Sequence, residues 1–243
     1  MQPYTAVAPA RAGLLGNPSD VYGGKTLAFA FQNQVATAHI AAAEQFRLAD
    51  GAPGRLDFAR PEALTQALHS PKTSAGERLL CAALLRFGAR FPQLRELPVG
   101  DPRLQFSLQF ESTIPLQVGL AGSSAIIVAA LRVLCHWFSL ELPPHAIAET
   151  ALAAETEELH ITAGPMDRVI QAFGGVLLMD FAEPQGSHRY QRIEARSLPP
   201  LVIAWDPNGS EPSGAVHEEV RKRWLANDPA VRTAIARFPA LVD

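Results

Sequence analysis

Hydrophobic positions along the chain change period several times, and each change marks an element. Leu104, Phe106, Leu108 and Phe110 alternate with Gln105, Ser107, Gln109 and Glu111, which predicts a strand over 104–112 with one buried face. The segments 26–31 and 35–40 are rich in aromatic and β-branched residues and lie close together, so two antiparallel neighbours are expected. Ser74 with Glu77 fits a capping box; Leu79, Leu80, Ala83, Leu84 and Phe87 then recur at helical spacing, predicting a helix of about four turns. From 123 to 138 only Arg132 and His136 interrupt an apolar set, the pattern of a buried helix. Pro143 and Pro144 open a further helix running to about Leu159, and Gly164-Pro165 opens a short one that stops before Gly174-Gly175. A short helix is expected at 62–68, strands at 176–181 and 201–205, and an amphipathic helix at 213–225. Helices and strands mix without strict βαβ alternation, which makes the fold class α+β.

With 243 residues, 48% of them apolar, the chain can bury roughly 70–75% of the surface it exposes unfolded. Its 21 basic and 24 acidic residues argue against a general polyanion binder, so no nucleic-acid partner is expected. Cys81 and Cys135 have no Cys or His close by; neither a zinc site nor a disulfide framework is expected, and the cytoplasm is the expected compartment. The longest apolar stretch, Ala125 to Leu131, falls far short of the roughly 20 residues that span a bilayer, and no leader pattern opens the chain. Neither membrane insertion nor secretion is therefore expected. Pro199-Pro200 suggests a boundary, dividing the chain into 1–198 and 199–243.

Three segments carry candidate chemistry. The loop from Pro115 to Ala125 holds Gly119, Gly122, Ser123 and Ser124 between the alternating strand and the buried helix. Glycines there allow close approach of a ligand, and the first N–H groups of the helix suit a phosphate beside the positive dipole end. Taken alone, the loop reads equally well as a turn with serine as a helix N-cap. Glu155 shares a helix face with Ala148, Ala151, Leu152 and Leu159, where a carboxylate requires a partner or a metal. Asp167 falls in the first turn of its helix, where it could orient a hydroxyl or simply stabilise the helix; Arg168 is expected to point away from it. Near the N-terminus, Arg11 stands in an apolar run and needs an anionic partner, and Asn17, Ser19 and Asp20 form a polar turn able to recognise hydroxyls. Lys25 lies beside that turn and could neutralise a sugar acid.

Together these segments resemble the GHMP kinase superfamily, and within it the glucuronokinase type of sugar kinase. Pro9 to Lys25 resembles the first family motif, Pro115 to Ala125 the second, and Glu155 to Gly175 the stretch with a metal-binding glutamate and a catalytic aspartate. The resemblance implies that Gly119, Leu120, Ala121, Gly122, Ser123 and Ser124 cradle ATP and that Ser124 with Glu155 holds Mg²⁺. It implies that Asp167 acts on the acceptor hydroxyl with Arg11 paired to it, and that Asn17, Ser19 and Asp20 contact the sugar. It also implies a ribosomal-S5-domain-2-like N-terminal domain followed by a ferredoxin-like domain. Gly209 and Gly214 are the only glycines after Gly186, so the third glycine-rich motif of the family is missing and the second domain is expected to be incomplete. The expected activity is transfer of the γ-phosphoryl group of ATP to a sugar or sugar-acid hydroxyl, with the anomeric hydroxyl of a uronic acid such as glucuronate first. A non-catalytic nucleotide or sugar binder is the alternative.

Overall fold

The structure is a computed structural model describing residues 2–49, 51, 54–58, 60–115, 117–182, 189–206, 213–238, 240 and 242. Leu116 of the glycine-serine loop, Gly186 and Gly209 lie outside these residues.

One mixed sheet organises the molecule. Its spine is β2 (Lys25–Ala42), which runs antiparallel to β1 (Tyr4–Leu15) along one edge. On its other edge β2 pairs with β4 (Phe106–Ser112) through 36–42 and with β5 (Val176–Asp180) through 25–29, both antiparallel. The short β3 (Arg47–Leu48) adds in parallel to β4, and β6 (Tyr190–Ile193) closes the far end against β5.

The segments 26–31 and 35–40 are therefore one strand, not two neighbours. Pro9 faces Val35 while the next residue, Ala10, faces Phe31, so Gln32, Asn33 and Gln34 form a bulge and the chain never reverses. A polar interruption in a strand can be absorbed this way because the extra residues leave the ladder without ending it. The segment 201–205 forms no ladder among the described residues, and Val202 is 94% exposed. An apolar run alone cannot make a strand without a partner backbone.

The covered sheet face is lined by small residues. Ala6, Ala8, Ala10, Ala28, Ala36 and Ala38 are all buried, and α3 (Gly122–Phe138) lies across β1 and β2 there. Small side chains on the sheet let a helix that is apolar nearly all round approach closely. Helix α2 (Ala75–Arg90) packs on α3, and α1 (Glu62–His69) packs on α2. The Ser74–Glu77 capping box is formed in both directions, with the Ser74 N–H donating to Glu77 at 2.8 Å and the Glu77 N–H to Ser74 at 3.2 Å. Helix α4 (Pro144–Ala153) continues into a π-helical turn, Ala154–Glu158, and packs against α5 (Met166–Phe173). Arg132 on α3 donates to the carbonyls of Gln171 and Ala172 in the last turn of α5, and to Val7 on the edge of β1. Helix α6 (Ser213–Leu225) has the expected bounds; α7 (Pro229–Ala236), capped by Asp228, follows it. No helix among the described residues is long and apolar enough to cross a membrane.

Candidate active site

The loop before α3 turns on backbone conformation. Gly119 has φ of 79°, with nothing within 4 Å of where a Cβ would stand, so the space above it is open. Ala121 adopts the left-handed conformation and no side chain caps α3, which leaves the first N–H groups of the helix for a ligand. The Ala121 carbonyl accepts from Ala125 N, from Ser124 Oγ at 3.1 Å and from Gln171 Nε2 at 2.8 Å. Gln171 thereby ties the loop to α5. The two serines differ: Ser123 is exposed, whereas Ser124 is buried with its hydroxyl on Ala121.

Glu155 lies in the π-helical turn, where the widened backbone directs neighbouring glutamates apart. Glu157 and Glu158 reach outward to Arg86 on α2, at 2.7 and 2.8 Å, while Glu155 is only 2% exposed. Its partner is Arg168, which donates to Oε2 and also to the Gly164 carbonyl. The expectation that Arg168 points away from Asp167 is corrected here: its guanidinium also stands 3.5 Å from Asp167. A buried carboxylate demands a cation, and the long arginine side chain folds back along its own helix to supply one. Burial pushes the Glu155 carboxyl up and Arg168 pulls it down, with the net shift upward. Burial works against charge on Arg168, but Glu155, Asp167 and Asp20 together raise its pKa.

Asp167 opens α5 and takes a two-pronged contact from Arg11, at 2.5 and 2.7 Å. The same guanidinium donates to the Gly119 carbonyl at 2.6 Å. One arginine on β1 thus joins the glycine loop to the aspartate, with a fork geometry that fixes both.

The polar turn is the 3₁₀ segment Ser19–Tyr22. Ser19 is fully buried and donates to the Lys25 carbonyl at 2.8 Å, so its hydroxyl closes the turn and does not face a ligand. Asp20 accepts from the Met166 N–H at 3.1 Å and so caps the helix that carries Asp167. A side chain at Gly164 would collide with the Asp20 carboxylate, which explains why the chain uses glycine there. Burial, then the charge of Asp167, raise the Asp20 carboxyl against the Met166 N–H and Arg168. On its outer side Asp20 meets a cavity of about 510 Å³ whose walls include Tyr22, Thr156, His160, Thr162 and Trp224. Asn17 is exposed, and neither it nor Lys25 lines this cavity.

Residues 79–175, which span α2 to the end of α5 and hold the loop, Glu155 and Asp167, match the GHMP kinases N terminal domain. This part of the chain is a GHMP kinase N-terminal domain. The chain is also 34% identical over 245 residues to Glucuronokinase 1 of Arabidopsis thaliana, and 35% identical over 246 residues to Probable glucuronokinase 2 of the same organism. Each alignment covers 96% of this chain, which spans 65% of the length of these relatives. The mevalonate kinase structure from Methanococcus jannaschii shares the fold, with a TM-score of 0.58 and 18% identity over 79% of this chain and 56% of that one.

Within the GHMP kinase N-terminal domain, the open space above Gly119 and the uncapped start of α3 fit a phosphate group. The donor set fits magnesium, a hard cation that takes one or two protein oxygens and completes its shell with phosphate and water. Both contacts from Arg168 fall on Glu155 Oε2, so the other oxygen is the one suited to a cation. Arg168 and Gln171 are the residues the helical pattern missed. A signal was present, because both stand among Met166, Val169, Ile170 and Ala172 on a helix with little polar surface to spare.

Proposed function

We propose that this protein is an ATP-dependent kinase that transfers the γ-phosphoryl group to a hydroxyl of a sugar or sugar acid, first of all the anomeric hydroxyl of a uronic acid such as glucuronate. The observation that carries this reading is the Arg11 bridge, which holds Asp167 and the Gly119 carbonyl on one guanidinium and so sets a carboxylate beside a phosphate cradle. The names of the two plant relatives support the sugar-acid acceptor.

In this reading Gly119, Leu120, Ala121, Gly122, Ser123 and Ser124 wrap the triphosphate with backbone N–H groups and hydroxyls. Ser124 and Glu155 would hold magnesium, which when bound would supply positive charge to neutralise the phosphates. The acceptor oxygen attacks the γ-phosphorus, its proton passes to Asp167, and the bond to the bridging oxygen breaks to release ADP. Arg11 keeps the Asp167 carboxylate oriented. Asp20 meets the acceptor, and Asn17, Ser19 and Lys25 build the turn that presents it. Most of the catalysis is positioning and charge neutralisation.

We assign 1–198 to an S5-like kinase domain and 199–243 to the start of a ferredoxin-like second domain. In support, the six strands among the described residues lie between Tyr4 and Ile193, and Val231 and Ile235 are buried apart from the main core cluster.

A binder without turnover is the second reading, favoured by the engagement of Glu155 with Arg168 and of Ser124 with Ala121. ADP formation measured with Mg-ATP across a panel of hexoses and uronic acids separates the two. The kinase reading expects sugar-dependent ADP, fastest with a uronic acid; nucleotide binding with no ADP from any sugar supports the binder.

A further inference from the structure

We propose, resting on the kinase reading above, that Arg221 holds the anionic group of the acceptor, a carboxylate, and thereby selects sugar acids over neutral sugars. The cavity beside Asp20 contains Arg221 together with Trp224 and Leu225, which occupy positions i, i+3 and i+4 on one face of α6. Its volume of about 510 Å³ suits a small-molecule ligand. The walls combine the parts that carbohydrate recognition uses. Tyr22 and Trp224 line the wall and pack on each other, their ring centroids 4.9 Å apart, while Thr156, Thr162 and His160 provide hydrogen-bonding groups.

Among the described residues, Arg221 is the arginine that lines the cavity. Arg223 is tied to Asp228 at 2.9 Å, and Arg232 lies over the Trp224 ring at 3.7 Å while donating to Asn227. Among the described residues Arg221 has no ion pair with a carboxylate, although its charge acts on the Tyr22 phenol against the effect of burial. A guanidinium fork matches a carboxylate with two parallel hydrogen bonds, a geometry that a lysine ammonium does not offer. Lys25, the cation that the sequence suggested for this role, is absent from the cavity wall. With Arg221 and Asp20 both lining it, one cavity offers the acceptor an anion site and a hydroxyl site.

The test compares the full chain with Arg221→Met and Arg221→Lys on glucuronate, glucose and glucose 6-phosphate, by initial rates and by calorimetry. For Arg221→Met, the ratio of kcat/KM for glucuronate to that for glucose is expected to fall about tenfold or more, chiefly through KM, with a matching loss in glucuronate affinity. Arg221→Lys should recover part of the ratio. An unchanged ratio in an active Arg221→Met enzyme overturns this assignment and leaves the kinase reading intact. A wild-type preference for glucose 6-phosphate over glucuronate overturns the carboxylate in favour of a phosphate. Absence of binding and turnover with every sugar overturns the assignment and the kinase reading together.

Discussion

Asp20 joins the polar turn, the N-terminus of α5 and the proposed acceptor cavity through a single buried carboxylate. Its pKa lies above 3.8, mainly because burial disfavours the charge and next because Asp167 is close. A raised carboxyl binds its proton more tightly in the folded chain than in the unfolded one. Between 3.8 and the raised folded value, lowering the pH therefore adds stability from this group, and raising the pH through the folded value removes it. Asp20→Asn keeps an acceptor for the Met166 N–H and deletes the charge. It should be at least as stable as the wild type at neutral pH and lose that advantage as the pH falls, which urea midpoints of both proteins across the acidic range will check. At this scale the sequence was partly legible. The burial of Glu155 followed from its apolar helix face, but its partner Arg168 did not, since helical spacing locates Cα atoms and not the end of a long folded side chain. The setting of Ser19 was hidden for a related reason: residue type shows that a hydroxyl can bind a ligand, not that it donates to the Lys25 carbonyl.

The π-helical turn and α5 are coupled through the pair Glu155–Arg168, and the outer side of the turn is held by Arg86. Removing one member of a buried pair leaves the other charge without compensation. Arg168→Met should thus destabilise the fold by about 3–5 kcal/mol, while Glu155→Gln combined with Arg168→Met should be affected less. Thermal or urea unfolding of the three proteins measures this, and equal losses in the single and double variants would contradict the coupling. Elements with local signals were legible. The capping box located α2, Gly164-Pro165 and Gly174-Gly175 bracketed α5, and α6 matched its predicted bounds. Elements defined by distant partners were not. β6 and α7 gave too little periodic signal, the bulge in β2 depends on β1, and the π-helical turn looks like ordinary helix in one dimension.

At the scale of the whole molecule, the small-residue face of the sheet brings α3 down onto β1 and β2, which delivers the glycine loop to the same end of the structure as Arg11 and Asp167. Asp20 links that centre to a cavity walled in part by α6, so the proposed acceptor site lies beside the proposed phosphate cradle. The central claim is that Asp167 acts on an acceptor hydroxyl beside a bound triphosphate. It is tested most directly by the rate of ADP formation by Asp167→Asn at saturating Mg-ATP and glucuronate, measured against the wild type. The account predicts a fall of about 10²–10⁴-fold; a rate within about twofold of the wild type, a difference of less than 1 kcal/mol in the barrier, would contradict it.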